Sequence, residues 1–122
     1  MQSQNIERPE LQTALASATP PILLEALGDA YYRKAHLPGA IALPLDRLEA
    51  IARERLSDKT AALVVYCASS TCRNSDVAAK VLRDRGYQNV RVYVGGKADW
   101  MENGLPVESG AEQRAQAGSK VA

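Results

Sequence analysis

The feature that most restricts the fold of this chain is the alternation of short, wholly apolar segments with longer amphipathic ones. The short segments are apolar at successive positions, which is typical of strands buried on both faces of a sheet. They span residues 22–26, 61–66 and 90–94, with a shorter candidate at 40–43. Because strands joined by crossover helices form parallel sheets, the alternation predicts an α/β fold with a mostly parallel sheet.

Helical spacing of apolar residues separates these candidate strands. Helices are expected over 9–18, 29–35 and 45–56, and a further one follows residue 75. The inward stripe of this last helix is formed by Val77, Ala78, Val81 and Leu82. We expect Ser75 or Asn74 to cap its start, and Gly86 to end it in the left-handed conformation.

Composition limits the classes of function. With 122 residues the chain is the size of one domain, and its net charge of +1 lacks the basic surplus of a nucleic-acid-binding protein. The longest apolar run, 61–68, is far too short to span a membrane, and the amino terminus lacks a secretory signal. Two cysteines are too few for a disulfide scaffold or a structural zinc site. We therefore expect a cytoplasmic domain without metal or cofactor, with no nucleic-acid or membrane partner.

The end of the chain differs in composition from the rest. Residues 108–122 are poor in large apolar side chains and rich in Gln, Ser, Gly and Ala. A segment of this composition cannot bury enough apolar surface to form part of a core. We expect a single domain over 1–107 followed by a polar tail, with a short helix around 111–117 as one option.

The loop over 67–75 lies between a buried strand and an amphipathic helix. In a parallel sheet this position is the carboxyl edge, where α/β proteins place their sites. The N–H groups and partial positive charge at the start of the helix favour a thiolate, so we expect a lowered pKa at Cys67. Packing is the alternative role for Cys67, because free cysteines are commonly buried. Cys72 lies close enough in the loop for its sulfur to reach Cys67.

Several other loop residues are candidates for substrate binding. They are Ala68, Ser69, Ser70, Thr71 and Arg73. The three hydroxyls can hydrogen-bond the sulfur or oxygen atoms of an anionic substrate, and the guanidinium adds a permanent charge if it folds over the loop.

Three separated signatures occur in one order along the chain. Residues 36–41 are His-Leu-Pro-Gly-Ala-Ile, residues 64–67 are Val-Val-Tyr-Cys, and Gly-Gly-x-x-x-Trp at 95–100 precedes Gly-Leu-Pro-Val at 104–107. Together they resemble the rhodanese family over residues 21–107. The resemblance implies a three-layer α/β sandwich, with a central, mostly parallel sheet of about five strands and helices on both faces. It also implies a sulfurtransferase that carries sulfane sulfur as a persulfide on Cys67.

Most residues of these signatures are also explained by structural roles alone. We expect His36 to hold its loop by hydrogen bonds, and Gly95 and Gly96 to allow a close backbone approach to the active loop. Trp100 is expected in the core. Tyr31, Tyr32 and Tyr66 are expected to be packing residues with polar tips.

The chain departs from the family pattern in two places. Glu25 and Leu27 stand where the family has Asp-x-Arg, so the ion-pair network there is expected to be altered or lost, with Glu25 keeping part of it. The loop from Cys67 to Arg73 counts seven residues without Gly, one more than in the commonest sulfurtransferases. That length resembles the loops of phosphatases and arsenate reductases of this fold. Because aligning Ser75 places the usual Arg at Asn74, the direction of Arg73 stays open.

Three functions compete at this stage. The leading hypothesis is transfer of sulfur from thiosulfate or a persulfide donor to a thiol acceptor, either a small molecule or a sulfur-carrier protein, through Cys67. In a variant of it, Cys72 resolves the persulfide and leaves a disulfide. A Cys-x5-Arg oxyanion enzyme is the second hypothesis, although its nearest carboxylate, Asp76, is expected to point away. A non-catalytic or redox-sensing module is the third, and a Cys67 pKa at or above the free value would favour it.

Overall fold

A computed structural model of the chain describes residues 4–111. Within that range the strands are β1 (Asn5–Ile6), β2 (Ile22–Glu25), β3 (Ile41–Ala42), β4 (Leu63–Tyr66) and β5 (Val90–Tyr93). The helices are α1 (Arg8–Leu15), α2 (Asp29–Lys34), α3 (Leu48–Arg55), α4 (Asn74–Asp84) and α5 (Gly96–Glu102). A 3-10 turn over Leu45–Arg47 precedes α3.

The five strands form one sheet in the order β1-β5-β4-β2-β3, and every neighbouring pair is parallel. Strand β4 lies at the centre and is buried at all of its positions. The expected α/β fold with a parallel sheet of about five strands is therefore confirmed. Since β4 runs directly into Cys67, the loop of interest begins at the carboxyl edge of the most central strand.

Two apolar clusters cover the two faces of the sheet. Leu24 and Val65 face the cluster to which α3 and α4 contribute, whereas Leu23 and Val64 face the cluster that contains residues of α1, α2 and α5. Neighbouring strand residues point to opposite faces because the side-chain period of a strand is two. Trp100 is buried in the second cluster, as expected. The result is a sheet between two helical layers.

The start of α4 differs from the prediction. Neither expected cap is used, because Arg73 occupies the N-cap position and makes no capping side-chain bond. Ser75 lies inside the helix and is buried, while Val77, predicted to face inward, is 48% exposed. Because the helix starts at Asn74, Ser75 lies in its first turn, where its hydroxyl is 3.5 Å from the Cys67 Sγ. At the other end the prediction is confirmed, since Gly86 has a φ of +97°.

Two elements were missing from the sequence-based expectation. Strand β1 has only two residues, too few for a period to be recognised. Helix α5 begins at Gly96 in the left-handed conformation, with a φ of +67°, so its start carries no sequence signal of a helix.

The segment after the last helix is held against the domain where the structure describes it. Glu108, the first residue of the predicted tail, exchanges two backbone hydrogen bonds of 2.8 Å with His36, and the N–H of Gly110 donates to the carbonyl of Arg33. Residues 112–122, and with them most of the helix considered around 111–117, lie outside the described residues. Among residues 4–111 no helix is both long and apolar enough to cross a lipid bilayer.

Candidate active site

The first residues of the loop are clamped to the start of α5. The carbonyls of Cys67 and Ala68 accept hydrogen bonds of 2.8 Å from the backbone N–H groups of Lys97 and Ala98. The approach requires glycine, because a Cβ on Gly96 would lie 2.5 Å from the carbonyl oxygen of Cys67. The close backbone approach to the active loop that was expected of Gly95 and Gly96 is thus confirmed at Gly96. The start of α5 therefore holds the backbone in place where β4 ends and the loop begins.

A buried ionic junction lies beneath the loop. Glu25 is fully buried, and its carboxylate accepts a 2.7 Å bond from the Tyr66 hydroxyl and a 3.0 Å bond from the Lys97 ammonium. Lys97 also donates to the carbonyl of Tyr31 at 3.0 Å, and the N–H of Leu37 donates to the Tyr66 hydroxyl. The junction ties together β2, β4, the loop before β3, and α5.

The ion pair expected to be altered or lost is therefore supplied from another element. Leu27 is buried and uncharged, and Lys97 provides the cation that balances Glu25. Sequence reasoning missed Lys97. The available signal was an acidic residue at the end of a buried strand with no neighbouring base, together with a lysine directly after the Gly-Gly pair. Burial, followed by the Glu25 charge, raises the pKa of Tyr66 well above its ordinary value, so this hydroxyl stays a donor.

The sulfur of Cys67 lies at the bottom of the loop. Cys67 is 1% exposed, and its Sγ lies 3.3 Å from the carbonyl oxygen of Cys72 and 3.5 Å from the hydroxyl of Ser75. Burial raises the pKa of the Cys67 thiol, and its hydrogen bond to Cys72 adds to the rise, while the hydroxyl and N–H of Ser75 oppose it. The expected lowering of this pKa is therefore wrong. The helix start offers Cys67 one N–H group, and that is not enough to offset the loss of water.

The sulfur of Cys72 has the opposite electrostatic environment. Burial and the negative charge of Asp76 disfavour its ionised form, but they are outweighed by hydrogen bonds from the Cys67 thiol and from the N–H groups of Asn74 and Ala68. The pKa of the Cys72 thiol is consequently below its ordinary value. Both cysteines are free thiols, and Cys72 is only half-buried. The thiolate that the sequence predicted at one cysteine is therefore favoured at the other.

The remaining candidate residues line the exposed rim of the loop. The hydroxyls of Ser69 and Thr71 bond each other at 3.0 Å, and Ala68 and Ser70 are exposed. The side chain of Arg73 is 83% exposed and pairs with Asp76 at 3.6 Å, so it does not fold over the loop. The usual Arg position of the family is occupied by an amide, since Asn74 donates to the carbonyl of Ala26 at 3.0 Å.

His36 holds its loop, as expected, and is fully buried. Its Nδ1 lies 2.8 Å from the carbonyl of Tyr32, and its ring stacks on the Tyr32 ring at 3.7 Å. Of the three tyrosines expected to pack, Tyr32 and Tyr66 are buried, whereas Tyr31 is 62% exposed. Among residues 4–111 there is no group of three or more His, Cys, Asp or Glu side chains that could hold a metal ion.

Comparison with known proteins gives one family and several relatives. The model of the rhodanese-like domain family matches residues 7–103. The chain is 34% identical over 80 residues to the HTH-type transcriptional regulator Rv0324 of Mycobacterium tuberculosis, covering 66% of this chain and 34% of that one. It is 33% identical over 69 residues to the putative sulfur carrier protein YrkF of Bacillus subtilis, covering 57% of this chain and 35% of that one. The chain thus spans about a third of the length of the curated relatives it matches.

The fold is also similar to that of a solved enzyme structure. The thiosulfate sulfurtransferase from Pseudomonas aeruginosa superimposes with a TM-score of 0.76 and 27% sequence identity. The match covers 86% of this chain and 20% of that one.

Proposed function

The chain belongs to the rhodanese-like domain family, and on that premise we propose that it is a sulfurtransferase that carries sulfane sulfur on Cys67. The observation that carries the proposal is the placement of this thiol at the carboxyl end of the central strand, in a loop clamped by α5. A relative described as a putative sulfur carrier and a fold neighbour that is a thiosulfate sulfurtransferase support the same chemistry.

In the proposed reaction the Cys67 sulfur attacks the outer, sulfane sulfur of thiosulfate or of a persulfide donor. A new S–S bond forms at Cys67, the S–S bond of the donor breaks, and sulfite or a thiolate leaves with the electron pair. The N–H and hydroxyl of Ser75, which lie against this sulfur, would stabilise the persulfide anion. A thiol acceptor, a small molecule or a sulfur-carrier protein, then takes the outer sulfur and restores the Cys67 thiol.

We further propose that Cys72 resolves the persulfide when no acceptor is present. Its sulfur attacks the inner sulfur of the Cys67 persulfide, a Cys67–Cys72 disulfide forms, and hydrosulfide leaves. A cellular thiol reductant would reopen the disulfide. The contact that supports this step is between the Cys67 Sγ and the carbonyl oxygen of Cys72, which lie 3.3 Å apart and bring the two residues together within the loop.

The raised pKa of Cys67 favours a second candidate, a non-catalytic or redox-sensing module. A thiol protonated at neutral pH is a weak nucleophile, while two adjacent thiols are suited to reversible oxidation. An oxyanion enzyme has less support, because its transition state needs a cation over the loop and the Arg73 side chain is 83% exposed. The cytoplasmic location, the single domain over 1–107 and the polar tail over 108–122 remain predictions.

Intact mass after exposure of the reduced protein to thiosulfate, and in a parallel sample to a low-molecular-mass persulfide, tests the proposal. We expect a lasting gain of one sulfur atom in Cys72→Ser, a gain in the wild type at early times before Cys72 resolves the persulfide, and none in Cys67→Ser. Cyanide or a thiol should remove the added sulfur. Val77→Ala, a change at an exposed position of α4, serves as the matched control and should load like the wild type. No gain with either donor would leave the redox-sensing module as the better proposal.

A further inference from the structure

We infer that His36 and Glu108 form a buried proton-binding site, in which one proton between His36 Nε2 and the Glu108 carboxylate fastens the segment after α5 to the loop before β3. Residues 105–110 of this segment are called the strap, because they run from the end of α5 back to that loop. Neither His36 nor Glu108 takes part in the proposed sulfur transfer, so the site can be tested without it.

The carbonyl of Tyr32 fixes the tautomer of His36. His36 Nδ1 lies 2.8 Å from this carbonyl oxygen, which can only accept a hydrogen bond, so Nδ1 carries a hydrogen. In a neutral imidazole the second nitrogen, Nε2, is then a bare acceptor. No donor among residues 4–111 reaches Nε2, although the side chain is fully buried. A neutral His36 would therefore leave a buried acceptor without a partner, which is unfavourable.

The group that faces Nε2 is also an acceptor. Oε1 of Glu108 lies 3.7 Å from Nε2, and it accepts a 3.1 Å hydrogen bond from the N–H of Gly39. A single proton between these two acceptors turns their repulsion into a charge-assisted hydrogen bond. Since the Gly39 N–H stabilises the charged form of the carboxylate, the proton belongs on Nε2. The Tyr32 ring, stacked 3.7 Å from the His36 ring, presents an aromatic face that attracts a cation.

The other charged groups around the site are paired with each other or face water. The ionisable side chains on the surrounding elements are those of Asp29, Tyr32, Arg33 and the exposed residues Tyr31 and Lys34 in α2, Glu25 in β2, Tyr66 in β4 and Lys97 in α5. Asp29 pairs with Arg33 at 2.7 Å, and Glu25 pairs with Lys97 at 3.0 Å. The charge of Glu108 therefore decides the protonation of His36.

The site lies between backbone bonds that join the strap to the loop before β3. His36 and Glu108 exchange two backbone hydrogen bonds of 2.8 Å, and the Glu108 side chain adds the bond from Gly39. Directly after His36, the N–H of Leu37 donates to the Tyr66 hydroxyl in the buried junction beneath the active loop. The strap is thus fastened to the same loop that contacts this junction.

The fastening of the strap has a defined dependence on pH. When Nε2 is protonated and Glu108 is ionised, the pair adds a bond that the opened strap lacks, so proton uptake and fastening are linked. The bond is lost as the pH rises and the ring gives up its proton. The side chain of Glu108 is 33% exposed, so the site can exchange its proton with water. The strap should therefore be held more tightly in mildly acidic solution than in alkaline solution.

Protonation of the site can be measured directly, because the chain has a single histidine. The ¹⁵N shifts of the ring are followed by NMR from about pH 5 to 8 in the wild type, in Glu108→Gln and in Glu54→Gln, which removes an exposed carboxylate of α3. We expect Nδ1 to keep its hydrogen throughout. Nε2 should lose its proton at a midpoint about one pH unit lower in Glu108→Gln than in the wild type, because the opposite charge is gone. Glu54→Gln, the matched control, should titrate like the wild type.

Two NMR results would overturn the inference. One is an equal midpoint in the wild type and in Glu108→Gln. The other is an Nε2 that carries no proton anywhere in this pH range, since the two facing acceptors would then hold no proton between them.

Hydrogen exchange tests whether the proton fastens the strap. The protection factors of the Glu108 and Gly110 N–H groups are compared with that of the Leu63 N–H, which donates to the carbonyl of Asn89 elsewhere in the fold. Between about pH 5.5 and 8 we expect the strap groups of the wild type to lose at least about tenfold in protection relative to Leu63, because one pH unit of linked proton release corresponds to a factor of ten. In Glu108→Gln this ratio should not change with pH.

A wild-type ratio that is the same at both pH values, or an equal fall in Glu108→Gln, would contradict the fastening role of the proton. Neither experiment contains a sulfur donor. A failure of the proposed sulfur transfer would therefore leave both results unchanged, and the two proposals are tested separately.

Discussion

The floor and the rim of the active loop use charge in opposite ways. The floor comprises Glu25, Tyr66, Gly96 and Lys97; the rim comprises Ser69, Thr71, Arg73 and Asp76. On the floor an ion pair of 3.0 Å is buried, with the lysine side chain 12% exposed and the glutamate 0%. On the rim the ion pair is 3.6 Å long, with side chains 83% and 57% exposed.

The difference shows which charges a fold depends on. A buried charge that loses its partner cannot be solvated, so breaking a buried pair costs several kcal/mol of stability. When an exposed pair is broken, water solvates the remaining charge and little stability is lost. The floor therefore determines whether the loop forms in its position. The rim can vary with little effect on the fold, and what it changes is the electrostatic environment of the two sulfur atoms.

Lys97→Met tests the floor with the largest expected effect. Removing the ammonium leaves the Glu25 carboxylate buried without its cation, so we expect a loss of about 3 to 5 kcal/mol in the free energy of unfolding, measured by urea denaturation. The matched control is Lys80→Met, because Lys80 pairs with Asp84 on the surface of α4 and its side chain is 76% exposed. That variant should stay within about 0.5 kcal/mol of the wild type. Equal losses in the two variants would contradict the comparison.

Gly96→Ala tests the close approach of the floor to the loop. The new Cβ would meet the Cys67 carbonyl oxygen at 2.5 Å on a backbone with a φ of +67°, so we expect about 2 to 4 kcal/mol of destabilisation and slower persulfide loading. Gly104→Ala isolates the backbone contribution, because Gly104 has a φ of +73° and nothing within 4 Å of an added Cβ. Its cost should be about 1 to 2 kcal/mol, without an effect on loading. The prediction fails if both variants lose the same stability by thermal or chemical denaturation.

Arg73→Ala tests the rim. Its guanidinium pairs with Asp76 in solvent, so the free energy of unfolding should change by less than about 0.5 kcal/mol. Loading from thiosulfate, followed by intact mass against time, should change less than about threefold, as expected for a screened surface charge. A loss of a hundredfold or so, the size seen when a transition-state donor is removed, would mean that this side chain turns inward during the reaction.

Asp76→Asn should produce the smallest effect, and it has a defined sign. The carboxylate disfavours the Cys72 thiolate, so removing its charge should lower the pKa of Cys72 further. Thiolate absorbance against pH measures the shift, which should shrink in high salt because the side chain of Asp76 is 57% exposed. A rise in that pKa would contradict the prediction, because it would mean that Asp76 does not act on Cys72 through its negative charge.

Much of the fold could be predicted because its signals are local. The apolar runs that became β2, β4 and β5 are visible in the sequence, as is the left-handed glycine after α4. The elements that were missed, β1 and α5, are a two-residue strand and a helix that starts in a left-handed glycine. Neither carries a period that can be recognised, and both are held by contacts with distant parts of the chain.

The candidate site divides in the same way. The sequence by itself determined that a thiol follows a buried strand and that Cys72, Ser69 and Thr71 share its loop. Tertiary structure alone decided that Lys97 balances Glu25, 72 residues away, that Arg73 faces solvent, and that the thiolate is favoured at Cys72. The physical reason is that helix and strand periods depend on neighbouring residues, whereas ion pairing and pKa values depend on burial and on atoms that the fold brings together.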